Sequence, residues 1–287
     1  MNYFPIRIFL VLQLLLCSQF SLAQTANDSL VAPSEQTTWE MLKYDAKSVF
    51  GGALYAVTAP ARWNGEDFST AAGIIVGTVG LHTIDHNARA FFLEQNGDVP
   101  DLLKDIGYYF GSPQNFFLIT GGLYSVGLIT KNEKVRNAAV LIISSSAVAG
   151  FYSALGKSVI GRQRPEDGAS KFEFDFFSDQ PKYHSFPSGH TILSMSMAHA
   201  IAKQFDNWWI KAGIYSVGSI APVSRLWADA HWITDVAIGA AISIVVVDSI
   251  DNYLHKEKRY PDAMRPNKKI KWRLAATPRT IGVIGTF

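Results

Sequence analysis

The chain has 287 residues, 48% of them hydrophobic and 17% charged, with a formal net charge of +2. That is enough for one domain with a substantial core, and a balance so near neutral leaves no electrostatic footprint for nucleic acid. The single cysteine, Cys17, excludes a disulfide framework or a cysteine metal site in the rest of the chain.

Residues 1–23 place a lone Arg7 before an apolar run and end on Ser21-Leu22-Ala23, the form of an export signal, cleaved or retained as an anchor. Cys17 follows the bulky Leu16, a poor fit to a lipidation signal. Residues 24–70 read as a flexible start followed by an interfacial segment. Within it, Thr37-Thr38-Trp39-Glu40 has the form of a capping box and predicts a helix start. Trp39, Leu42 and Ala46 then recur at helical spacing among Glu40, Lys43 and Asp45, which predicts an amphipathic surface helix. A short apolar run over 48–59 stops at Pro60, and an aromatic, polar stretch over 62–68 suits a turn or a membrane interface.

A single helical domain is expected over 71–254. Its apolar segments are 71–84, 115–130, 137–156, 191–202, 209–223 and 232–250. Those at 137–156 and 232–250 approach the roughly 20 residues that cross a bilayer core. Mean hydropathy is +0.10, low for a polytopic membrane protein, so a soluble all-helical domain is the alternative. Charge favours the membrane: the basic stretches at 131–136, 203–211 and from Lys256 onward fall on one side, as expected of cytoplasmic loops. Six spans with a cytoplasmic C-terminus need a cytoplasmic start, which a cleaved signal does not give. A retained anchor, a short extra pass over 48–59, or helices that do not span would reconcile the two. The tail, 255–287, is basic, with an extended segment expected around Ile281, Val283 and Ile284.

Three blocks carry the chemistry. They are Lys157 to Pro165 with Arg162 and Arg164, then Phe186-Pro187-Ser188-Gly189-His190-Thr191, then Ser224-Arg225 followed by His231 and Asp235. Pro-Ser-Gly ahead of an apolar helix makes a helix N-terminus whose free N–H groups, hydroxyl and close backbone suit an anion. Lys157, Arg162, Arg164 and Arg225 put fixed positive charge near two histidines, the combination expected for holding a tetrahedral oxyanion. Arg162 reads as a basic loop residue rather than a site residue. His231 and Asp235 are four apart and on a helix share a face, so the carboxylate can fix one ring nitrogen and leave the other to attack phosphorus. His190 can then protonate the departing oxygen. Half a metal site is the alternative for the His231–Asp235 pair, disfavoured because the surrounding cations repel a divalent ion. His82, His86, His184, His199 and His255 read as structural.

With these residues the chain, over roughly 137–250, resembles the type 2 phosphatidic acid phosphatase family, which shares a core with class A bacterial acid phosphatases and vanadium haloperoxidases. The family pattern is Lys, six residues, Arg-Pro; Pro-Ser-Gly-His; Ser-Arg, five residues, His, three residues, Asp. It is met without a departure. The resemblance implies an all-α six-helix core and phosphate binding by Lys157, Arg164 and Arg225, assisted by Ser188 and Gly189. It makes His190 the general acid, His231 the nucleophile that forms a phosphohistidine, and Asp235 its orienting partner, with no metal or other cofactor. Ser185-Phe186 and His231 to Val236 resemble the membrane lipid phosphatase branch, so the substrate is expected to be a lipid phosphomonoester or pyrophosphate. Phosphatidic acid, phosphatidylglycerol phosphate, undecaprenyl pyrophosphate and lipid A phosphates all remain open. The expected place is a bacterial-type inner membrane with the site facing the periplasm. A soluble periplasmic acid phosphatase and a vanadium haloperoxidase stand as alternatives.

Overall fold

In the computed structural model, which describes residues 37–168, 170–261, 271–277 and 280–286, the first helix begins on its capping box. The Glu40 carboxylate accepts from the Thr37 N–H at 2.8 Å, and the Glu40 N–H donates to the Thr37 hydroxyl at 3.3 Å. This helix, α1 (Thr38–Val57), continues without a break through most of the apolar stretch 48–59.

Its buried face is not the one its apolar periodicity predicts. Met41, Asp45, Ser48, Gly52 and Ala56 turn inward while Trp39 is 66% exposed. The cause is Asp45, which accepts from Arg136 Nε at 2.9 Å and Nη2 at 2.8 Å, and from the hydroxyls of Tyr124 at 2.9 Å and Tyr260 at 2.7 Å. A buried carboxylate with every lone pair occupied sets the rotation of the helix, because leaving it unpaired inside would cost more than exposing one indole.

Next come α2 (Gly65–His82), capped by Asn64, α3 (Asp85–Gln95), α4 (Asp101–Phe110) and α5 (Pro113–Ile129). The apolar segments had not marked α3 and α4, which are short and rich in polar residues. After them α6 (Glu133–Ile160), α7 (Gly189–Ala202), α8 (Trp208–Trp227) and α9 (Ile233–Lys256) alternate in direction. α7 packs on α6, α8 and α9, while α1 lies across α6 and α9 and α4 across α8. The core between them is aliphatic, with Val140, Leu141, Ile142, Ile192, Val247 and Ile250 at or below 1% exposure. Among the described residues α6 and α9 are the helices long and apolar enough to cross a membrane.

The alternation puts the α6–α7 and α8–α9 connections, with all three sequence blocks, at one end of the bundle. The basic turns at Lys131, Lys203 and Lys256 lie at the other. Beyond the bundle β1 (Lys271–Thr277) and β2 (Thr280–Thr286) form an antiparallel hairpin, with Lys271 opposite Thr286. The leader assigned to 1–23, the flexible start at 25–36 and the basic stretch 262–270 lie outside the described residues.

Candidate active site

α6 carries Lys157 in its last turn and stops at Gly161, whose φ of 56° is left-handed. A Cβ there would drive into the carbonyl of Asp175, so glycine is required both by conformation and by close approach. The chain leaves the helix extended, carrying Arg162 and Arg164. Arg164 is fixed by carbonyls rather than carboxylates: Nη1 donates to Ala230 at 2.9 Å and the backbone N–H to Lys182 at 2.8 Å.

Ser188 precedes α7, and its N–H donates to the Asp235 carbonyl at 3.0 Å, fastening the second block to the third. Among the described residues its buried hydroxyl has no hydrogen-bond partner, and neither has His190 Nε2 in the first helical turn. The His190 ring packs 5.6 Å from that of Tyr108 and against Gly111, where a Cβ would come within 2.9 Å of ring Cδ2. Arg225, in the last turn of α8, lies with its guanidinium 4.9 Å from the centre of the Tyr108 ring and Nε 3.3 Å from the Ser224 hydroxyl. Gly189 begins α7 beside Lys157: a Cβ on it would stand 3.4 Å from the ammonium.

None of Lys157, Arg164 and Arg225 forms an ion pair among the described residues, in contrast to Arg136, Arg162 and Arg89. Their fields converge on the histidines. Burial, then the charges of Arg225, His231, Lys157 and Arg164, push His190 down to about 3. Burial also lowers His231, with Asp235 opposing and Arg164 and Lys157 adding to the shift. Near neutral pH both rings are therefore uncharged.

The His231–Asp235 geometry differs from two residues on one helical face. His231 stands just ahead of α9, and Asp235 is in its first turn, accepting from the Trp232 N–H at 2.8 Å. His231 Nδ1 is 3.6 Å from Asp235 Oδ2, beyond hydrogen-bond length, because that oxygen also takes the Ser185 hydroxyl at 2.5 Å. The other oxygen takes Arg162 Nη1 at 2.7 Å.

Arg162 thus leaves the basic-loop role that the sequence suggested. It is 2% exposed and bridges two buried carboxylates, reaching Asp85 through Nη2 at 2.6 Å and the Thr234 hydroxyl through Nη1 at 2.6 Å. Asp85 opens α3, accepts from the Thr234 N–H at 3.1 Å and lies 2.8 Å from His82 Nδ1. From the same helix Arg89 Nε donates to Asp229 at 2.7 Å, holding the turn between Arg225 and His231, where Asp229 has φ 56°. His86 meets the Trp232 ring edge-on at 5.4 Å. Asp85 and Arg89 were missed from the sequence; their four-residue spacing was the signal, but nothing local shows what they pair with.

The remaining histidines are satisfied away from the site: His184 against the Ser178 carbonyl at 2.9 Å, His199 against the Tyr215 hydroxyl at 2.5 Å, and His255 against the Asp251 carbonyl at 2.8 Å.

Comparison with known proteins finds that residues 138–257 match the profile of the PAP2 superfamily. The chain is 32% identical over 103 residues to the lipid A 1-phosphatase of Porphyromonas gingivalis, a stretch that makes up 35% of this chain and 20% of that protein. It is 25% identical over 162 residues to the bacitracin transport permease protein BcrC of Bacillus licheniformis, covering 55% of this chain and 76% of the relative. The crystal structure of Aquifex aeolicus LpxE is similar with a TM-score of 0.44 at 21% identity, covering 57% of this chain and 94% of that one. The segment that matches the PAP2 superfamily profile is the one that carries Lys157, His190, His231 and Asp235.

Proposed function

We infer that the protein is a phosphatase acting on a lipid-linked phosphomonoester or pyrophosphate through a phosphohistidine. The observation that carries this reading is the cluster of Lys157, Arg164 and Arg225, without acidic partners among the described residues, beside the unpartnered Ser188 hydroxyl and His190 Nε2. A buried Arg225, half-buried Lys157 and Arg164, and buried donors without counter-groups are costly unless they serve a polyanion. A phosphoryl group, with three equatorial oxygens sharing charge, fits that demand.

His231 Nε2, the nitrogen turned away from Asp235, attacks phosphorus. The bond from phosphorus to the leaving oxygen breaks, and His190 gives that oxygen its proton. Asp235, itself held by Arg162, stabilises the positive charge that develops on His231. A water molecule then attacks the phosphohistidine, His190 takes its proton, and the phosphorus–nitrogen bond breaks to release phosphate. His190 starts neutral, so the first proton arrives with a bound phosphate monoanion, whose charge also offsets the cations that hold His190 down.

A lipid substrate is supported by the printed activity of the Porphyromonas relative, by the two long apolar helices and by exposed Phe50, Phe117 and Ile129 on the bundle. A site facing the outer side, reached by an N-terminal export signal, is supported by the basic turns at the opposite end. The test is phosphate release by the detergent-purified full chain, in chelator, from lipid phosphates and from p-nitrophenyl phosphate. The expected result is a higher kcat/KM for a lipid phosphate, lost in His231→Ala. Activity that needed a divalent cation, or that favoured water-soluble esters, would overturn the reading.

A further inference from the structure

α4 ends in Gly107-Tyr108-Tyr109-Phe110-Gly111, an aromatic run with a glycine on either side. Each glycine allows a close approach, and each approach is to the candidate site. A Cβ on Gly107 would drive into the Ser224 side chain and stand 2.8 Å from the Ile220 carbonyl, while one on Gly111 would stand 2.9 Å from His190 Cβ. The end of α4 therefore sits directly on the turn of α8 that carries Arg225 and on the first turn of α7. Tyr108 falls between those two contacts. The centre of its ring is 4.9 Å from the Arg225 guanidinium and 5.6 Å from the centre of the His190 ring, with the two ring planes tilted by 38°.

Arg225 differs from the other buried arginines in what holds it. Arg136 and Arg162 are gripped by buried carboxylates. Arg225 has, among the described residues, one long hydrogen bond from Nε to the Ser224 hydroxyl at 3.3 Å and the face of Tyr108. A carboxylate would fix the guanidinium but cancel the charge that it offers to an anion. An aromatic face attracts the cation through its quadrupole and carries no net charge. The guanidinium is thereby located while its charge and the donors of its two terminal nitrogens stay available.

We propose that Tyr108 is a positioning residue for Arg225, its ring face holding the guanidinium where it meets the oxygens of a bound phosphoryl group. Tyr108 is then part of the site although it precedes residue 138, where the match to the family profile begins. The inference rests on the reading of this pocket as a phosphate site, and its test measures binding separately from turnover.

The probe is inorganic phosphate titrated into the detergent-purified full chain, with hydrolysis of p-nitrophenyl phosphate measured beside it. Tyr108→Phe keeps the ring face and is expected to leave the phosphate Kd and kcat/KM within about twofold, whereas Tyr108→Leu keeps bulk without the face and is expected to worsen both about tenfold. Tyr109→Leu, on the same helix, should change neither by more than about twofold. Phenylalanines carrying one, two and three ring fluorines at position 108 keep the shape while draining charge from the face, so the phosphate Kd should rise stepwise along that series. In an Arg225→Gln background Tyr108→Leu should cost nothing further, because it acts through Arg225.

Equal values for Tyr108→Phe and Tyr108→Leu, a phosphate Kd that stays flat across the fluorinated series, or an added loss from Tyr108→Leu in the Arg225→Gln background would each overturn the proposal. So would a loss in Tyr109→Leu matching that in Tyr108→Leu, which would mean a role in packing α4. A protein that binds phosphate with the expected pattern but hydrolyses no phosphate ester would refute the functional reading and leave the positioning role standing. One that hydrolyses esters without depending on the ring face would do the reverse, and an unmodified protein that neither binds phosphate nor hydrolyses esters would overturn both.

Discussion

Arg136 and Arg225 are both buried arginines of one helical bundle, 5% and 8% exposed, and they face opposite fates. Arg136 gives two hydrogen bonds to Asp45, whose remaining lone pairs take Tyr124 and Tyr260. Arg225 finds the edge of a serine hydroxyl and the face of Tyr108. The same contrast separates Lys203 and His199 at the basic end from several groups of the candidate site, although Arg162 and Arg89 beside that site are matched as well. At the basic end Lys203 pairs with Asp248 at 2.8 Å and Asp251 at 2.9 Å, and His199 is held between Tyr215 and Asp248. At the other end Lys157, Arg164, Ser188 and His190 are left with charge or hydrogen-bonding capacity to spare. Charges that are matched inside the chain serve the fold. Those left unmatched are the ones that the proposed function assigns to a bound phosphate.

That contrast is open to attack by mutation. Arg136→Ala strands the Asp45 carboxylate in the core and should lower stability by about 3–5 kcal/mol, the usual cost of breaking one side of a buried ion pair. Denaturant unfolding of detergent-solubilised protein would read it, and a loss below about 1 kcal/mol would mean that the two tyrosines suffice. His231→Ala should leave the unfolding midpoint in place and cut turnover by at least about 10³-fold, together with covalent labelling by radioactive substrate. Label recovered on His190 would reverse the two histidine roles. Arg225→Gln should lower kcat/KM by about 10²-fold, as when one charge-stabilising donor is removed, without lowering Tm. A fall in Tm matching that of Arg136→Ala would erase the distinction drawn between matched and unmatched charges.

The smallest expected effect is on pH. His190 is depressed from an ordinary 6.5 to about 3, so between those values the unfolded chain binds a proton that the folded chain refuses. Stability contributed by this group is complete above pH 6.5 and declines as the pH falls towards 3. His190→Gln should remove that slope from the dependence of Tm on pH, and inorganic phosphate should flatten it in the unmodified protein by offsetting the cations. In kinetics the alkaline limb of kcat/KM should follow the second ionisation of the substrate, near pH 6 for a phosphate ester. A limb that stayed fixed when that ionisation was changed would belong to the enzyme instead.

Much of this arrangement was legible in the residues. The capping box at Thr37 and Glu40, the apolar runs that became α5 to α9, and the three ordered blocks are local signals, carried within a turn or two of chain. What escaped depends on partners far away. The rotation of α1 is set by Asp45 meeting residues 91 and 215 positions on, which no periodicity contains. Arg162 looked like one of several basic loop residues until Asp85, 77 positions earlier, and Asp235, 73 later, closed around it. α3 is polar along much of its length because its polar groups reach across to fixed loops, so hydrophobicity was silent there.

The bridge from Asp85 through Arg162 to Asp235 also bears on how much chain the site needs. The recognisable family segment is 138–257, but Asp85 and Arg89 lie more than 40 residues upstream of it. A fragment cut to that segment would retain every motif residue and yet leave Arg162 Nη2 and the Thr234 N–H without the carboxylate they share. The smallest piece able to assemble this centre must therefore begin before α3. Grafting the three blocks onto another scaffold would likewise require importing an acid to stand in for Asp85.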